Sequence, residues 1–203
     1  MAAGRRLRRA ALALLIAAPL VAAQEPTRWE QVITPADRER LRGSRDAWIA
    51  GLDRARRAAP AAIAEGGELF DPDHAYSDGA MPPAGDYRCR VFKLGAKGTA
   101  MADFTAYPDF ACRLEARGVL RDFEKLGGQQ RPVGRLYPRD AARAIFLGTL
   151  ALESEEKATR YGRDARRDLV GFIERIGEAR WRLVLPRPGF ESIIDVIELV
   201  PVN

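Results

Sequence analysis

Two acids stand where chemistry would be expected of them: Glu174 within LVGFIERI and Asp195 within SIIDVIELV, each set in an apolar run. Strand side chains alternate between faces, so Glu174 shares a face with Val170, Phe172 and Ile176, and Asp195 with Ile193, Ile197 and Leu199. Both are read as facing inward. Two buried acids at suitable separation have raised pKa values and can divide general acid and general base work between them. The competing reading pairs each acid with an arginine such as Arg175, Arg180 or Arg182, or turns the strand the other way, since acids are seldom buried unless paired. A carboxylate-dependent hydrolase, resting on Glu174 and Asp195, is thus the enzymatic alternative.

Other chemistries find less support. Triad catalysis needs a histidine, and the one histidine, His74, lies in the turn-rich DPDHAYSDGAMPP segment, with no G-x-S-x-G elbow anywhere. Asp71, Asp73 and Asp78 in that segment lack the alternating carboxylates and closing glutamate of a calcium loop, and one histidine with two cysteines cannot complete a tetrahedral zinc site. No metal and no cofactor is expected. In YRCRV, Cys89 shares a face with Tyr87 and Val91 while Arg88 and Arg90 take the other; in YPDFACRL, Cys112 shares a face with Phe110 and Leu114. Two inward cysteines in an exported chain predict a Cys89–Cys112 disulfide, which over a loop of roughly two dozen residues adds about 3 kcal/mol in the chain-entropy model.

Two polar segments are candidate recognition surfaces, because binding residues concentrate on loops carried by a rigid scaffold. GGQQRPVGRLYP presents Gln129, Gln130 and Arg131, and ATRYGRDARRDL groups Tyr161, Arg163, Arg166 and Arg167 with Arg160. An arginine and tyrosine cluster suits an acidic sugar, a phosphate or a protein partner.

The elements that would hold these residues follow from periodicity. Thr34-Pro35-Ala36-Asp37 is a helix start, with a capping hydroxyl, a proline in the first turn and an acid near the positive end of the dipole. Leu41, Trp48, Ile49, Leu52 and Ala55 then recur at helical spacing, predicting one amphipathic helix over 34–60. Residues 61–85, rich in Gly, Pro and Asp, read as a loop. From 86 to 203 eight short runs separated by turn signals predict strands: 87–94, 104–116, 119–126, 133–137, 143–152, 169–176, 180–185 and 192–200. Such a series suggests a barrel or curved sheet, mainly β, and the runs apolar on both faces, IFLGTLAL and SIIDVIELV, require the helix as an outer cover.

The chain opens MAAGRRLRRAALALLIAAPLVAAQEP, a basic stretch, an apolar run and a small-residue cleavage signal, which predicts a signal peptide over 1–23 cut after Ala23. That run is too short to span about 30 Å of hydrocarbon. Export to the periplasm or beyond is expected, with 24–203 as a single domain and no transmembrane segment in it. The removed segment carries four arginines and no acid, leaving 29 basic against 28 acidic residues, so the basic balance argues for no nucleic-acid partner.

Taken together, FKLG, YPDFACRL, GGQQRPVGRLYP, IFLGTLAL, YGRDARRDLVGFIERIGEARWRLVLPRP and FESIIDVIELVP resemble a family of exported bacterial proteins catalogued only as a domain of unknown function, over nearly all of the chain from Trp29 onward. The resemblance implies no activity. The expected architecture is similar, at fold level only, to lipocalin-like carriers and small bacterial protease inhibitors, and fold does not fix function. The missing catalytic constellations favour a non-catalytic binding module whose partner is an envelope protein or a small ligand.

Overall fold

The computed structural model describes residues 26–153 and 155–202; the expected signal peptide, 1–23, lies outside them. Helix α1, Pro35–Arg42, begins at the expected cap, with the Thr34 hydroxyl accepting a hydrogen bond from the Asp37 amide at 3.2 Å. The single helix expected over 34–60 is broken. Gly43 ends α1, α2 runs Ser44–Ala58, and Pro60 opens a third helix, α3, Pro60–Gly66, because proline fits the first helical turn as readily as it ends a helix. A 3-10 turn at Gly67–Leu69 extends this helical region into the expected loop.

Eight strands follow: β1 Gly85–Ala96, β2 Phe104–Arg117, β3 Leu120–Lys125, β4 Gln130–Pro138, β5 Ala144–Leu152, β6 Asp168–Gly177, β7 Arg180–Pro186 and β8 Ser192–Pro201. Each pairs antiparallel with the next, and β8 returns to β1, closing the barrel in simple up-and-down order. Closure removes the exposed edges that an open sheet would leave.

Alternation then sorts the side chains into two cores. Tyr87, Cys89, Leu114, Phe123, Leu136, Phe146, Ile173, Trp181, Leu183 and Leu199 fill the interior. Phe92, Leu94, Ile145, Val170, Phe172, Val184, Ile194 and Val196 form an outer core with Trp48, Leu52 and Ala55 of α2. The helix lies close on the wall: a Cβ at Gly51 would come within 2.7 Å of the Ile194 side chain, and one at Gly95, whose φ is +71°, within 3.0 Å of Gly51 Cα. Strands β5 to β8 and the second half of β1 are therefore buried on both sides, while the first half of β1 turns Arg88 and Arg90, and β2 and β3 turn residues such as Arg113, Glu115 and Glu124, to solvent.

Candidate functional site

The cysteines join as expected, Cys89 to Cys112, with Cα atoms 5.9 Å apart inside the barrel between β1 and β2. Following β1 onward from Cys89, the same face carries Val91 and then Lys93. A lysine at an inward position needs partners. Lys93 Nζ meets Glu191 Oε2 at 3.0 Å and Asp195 Oδ2 at 3.3 Å, and it donates to Gln130 Oε1 at 3.1 Å. Burial opposes its charge, but the two carboxylates outweigh burial and hold the amine above its usual value. Asp195 also accepts from the Ser192 hydroxyl, and burial pushes its carboxyl up despite Lys93 and Ser192.

A second inward lysine comes from β3, two residues beyond the buried Phe123. Lys125 is only 3% exposed, yet no carboxylate reaches it among the described residues. Its amine donates to the backbone carbonyls of Gly127 and Gln130 and lies 3.6 Å from the centre of the Phe110 ring. Burial, with the charges of Arg131 and Lys93 beside it, pushes this amine down to about 8.

These groups surround a cavity of about 250 Å³ at one end of the barrel, floored by Val91, Leu150 and Ile197 and rimmed by Tyr107, Phe110 and the Gly128–Gln130 turn. Glu191 reaches it from a left-handed backbone conformation, φ 62°, a strained geometry for a residue with a Cβ and one that clusters at functional sites. Its Oε2 is buried and accepts no hydrogen bond of good geometry, although Lys93 lies near it. The opposite barrel end is shut by the 71–84 segment: the Tyr87 hydroxyl donates to Pro83 O and the Trp181 indole to Gly79 O, each at 2.8 Å, and Met81 packs on the interior core.

The proposed acid pair does not form. Asp195 faces inward as expected, but Glu174 faces outward, beneath the helices, with both Arg182 contacts, at 2.8 and 2.9 Å, and Arg143 at 2.6 Å. β6 pairs with β7 and β7 with β8, so the two acids sit two strands apart on opposite faces of the wall. Arg182 is fully buried and also donates to the carbonyls of Glu68, Leu69, Asp71 and His74, pinning the segment after α3 to the barrel. This network is structural.

Part of the arginine-rich segment is tied into the fold. Tyr161 donates its hydroxyl to the buried Asp37 and accepts from the Thr34 amide, tying the 155–167 segment to the start of α1. Arg167 pairs with Glu155 at 2.7 Å, Arg131 donates to the Glu153 and Glu155 carbonyls, and Arg166 stands over the Phe190 ring. Gln129, Arg163 and Arg166 are exposed, as is the neighbouring Arg160. Gln130, taken for a loop residue, is on β4 and points into the cavity, bridging Lys93 and Glu191. His74 contacts the Ile176 carbonyl, and Asp73 and Asp78 pair with Arg45 and Arg175.

Sequence reasoning passed over Lys93, Lys125 and Glu191. The signal was present: Lys93 continues the Tyr87, Cys89, Val91 alternation that placed the disulfide inside, and Lys125 continues from Phe123. A larger groove, about 790 Å³, runs along the outside of β2 to β5. Its charges are of both signs, and Asp122 in it pairs with Arg135 and with the neighbouring Arg117, so the smaller mouth with its unmatched amine is the better candidate.

No helix among the described residues is long and apolar enough to cross a membrane. No curated protein and no solved structure matches the chain. A family model described as a domain of unknown function, DUF4893, matches residues 29–199, and the chain belongs to that family.

Proposed function

We propose that the protein is an exported, non-catalytic binding module whose open barrel mouth holds a small ligand. The observation that carries this reading is the contrast inside the barrel: side chains pack it from the plugged end up to the disulfide, and a cavity opens where Lys93, Lys125, Glu191 and Asp195 converge. A filled lumen argues against a wide carrier of lipocalin type. A cavity of this size with an apolar floor and a few placed polar groups suits one small molecule with a polar head. Export is supported by the N-terminal segment and by a disulfide, a bond that persists in oxidising compartments.

Native and denatured mass spectra of the protein purified from the periplasm under oxidising conditions test the reading. The denatured mass should correspond to a chain beginning at Gln24 and lacking two hydrogens. The native spectrum should add a species that denaturation releases; full-length mass, or no retained species after incubation with a small-molecule panel, contradicts the proposal.

A further inference from the structure

The chain uses arginine almost everywhere it needs a cation: of 33 basic residues only four are lysines, at 93, 97, 125 and 157. Two of these, Lys93 and Lys125, point into the barrel mouth, and Lys97 donates to the Pro188 carbonyl at the same end. A guanidinium stays charged under all ordinary conditions, whereas an amine can lose its proton when desolvated, so amines are used where nucleophilic nitrogen is needed. The two inward lysines are placed differently. Lys93 faces Glu191 and Asp195 and remains a cation, while Lys125 shares the cavity with Lys93 from β1, lies against the Phe110 ring from β2 and feels the charge of Arg131 on β4, with no carboxylate against it. A desolvated lysine next to another cation is the environment that activates an amine.

The surroundings of Lys125 also leave its nitrogen approachable. Two of its hydrogen positions are directed at the Gly127 and Gln130 carbonyls, which in the neutral amine leaves the third for the lone pair. Gly128, at φ +81°, has no side chain; a Cβ there would lie 2.8 Å from the nitrogen and cover it.

We infer that the barrel mouth captures small aldehydes or ketones as a reversible imine on Lys125, an inference that rests on the mouth being the ligand site. The neutral amine attacks the carbonyl carbon, the carbonyl electron pair moves to oxygen, and a proton passes from nitrogen to that oxygen to give a carbinolamine. The carbon–oxygen bond then breaks, its oxygen leaving as water with a proton taken from solvent, and the nitrogen becomes a protonated imine in the cavity that Glu191 and Asp195 also line. Water reverses each step, and no oxidant or reductant takes part.

The test is reductive trapping on the full mature protein with benzaldehyde as probe and sodium cyanoborohydride, read by intact mass and by peptide mapping over the four lysines. At pH 8 a lysine titrating near 8 is about half neutral and a free lysine side chain under about 1% neutral, so Lys125 should gain its benzyl group at least about tenfold faster than Nα-acetyl-lysine added to the same solution. Its labelling rate should level off above pH 8, where that of the free amino acid derivative still rises. Lys125→Arg should abolish the fast adduct with an unchanged melting curve; should that variant unfold, the pH profile of the wild type decides alone. Equal labelling of the four lysines overturns the inference. Retention of benzaldehyde in the native spectrum without a fast adduct overturns the imine and leaves the mouth as a binding site, whereas neither retention nor adduct counts against both.

Discussion

Two groups of buried charge lie in the same barrel wall, one on each side of it, and they are built differently. On the outer side, Glu174 and Arg182 satisfy one another, Arg143 takes a remaining carboxylate oxygen, and four backbone carbonyls take the rest of the guanidinium. On the inner side at the mouth, Lys93 has two acids and Lys125 has none. A fully satisfied buried network fixes structure, and a partly satisfied one is costly unless something else completes it. The outer cluster holds the helical segment on the barrel; the inner cluster lines an open cavity.

Arg182→Met should sharpen this contrast most. It leaves Glu174 buried with half its partners and frees the 68–74 segment, so urea denaturation should show a loss of about 3–5 kcal/mol, the range for breaking a buried pair. A smaller loss, under about 1 kcal/mol, would erase the distinction. Tyr161→Phe tests a second satisfied cluster, because it removes one donor from the fully buried Asp37; it should cost about 1–3 kcal/mol by the same measurement. Lys125→Met should change stability at pH 7 by less than about 1 kcal/mol, since it removes a buried cation that no acid balances, at the expense of two carbonyl hydrogen bonds.

The pH dependence separates the clusters again. With its folded value lowered from 10.5 to about 8, Lys125 binds fewer protons folded than unfolded between those pH values. Its unfavourable contribution is full below pH 8 and is relieved as pH rises toward 10.5. Wild type minus Lys125→Met should therefore become more favourable from pH 8 to 10 in paired denaturation curves, and a flat difference would mean an unperturbed amine.

Much of the barrel was legible in the sequence, because alternation and turn residues are local: all eight strands lie within a few residues of their expected bounds, and the inward face of Cys89 and Cys112 follows from period two alone. The broken helix was harder to read, since Leu41, Trp48 and Leu52 keep helical spacing across Gly43. Glu174 was misplaced because the outer face of β6 is as apolar as the inner, so alternation cannot say which side is the lumen. The arginine segment looked free for want of its distant partners; Tyr161 meets Asp37 across 124 residues of sequence. Lys93 and Lys125 were overlooked because a charge in a strand is ordinarily solvated, and only barrel closure brings β1, β3 and β8 around one cavity.

The most direct test is the native mass spectrum of wild type beside Lys125→Met, both purified from the periplasm and incubated with the same small-molecule panel. The account predicts one retained species on the wild type, absent from a Lys125→Met protein of unchanged melting temperature. Equal retention by both, or by neither, would contradict the barrel mouth as the ligand site.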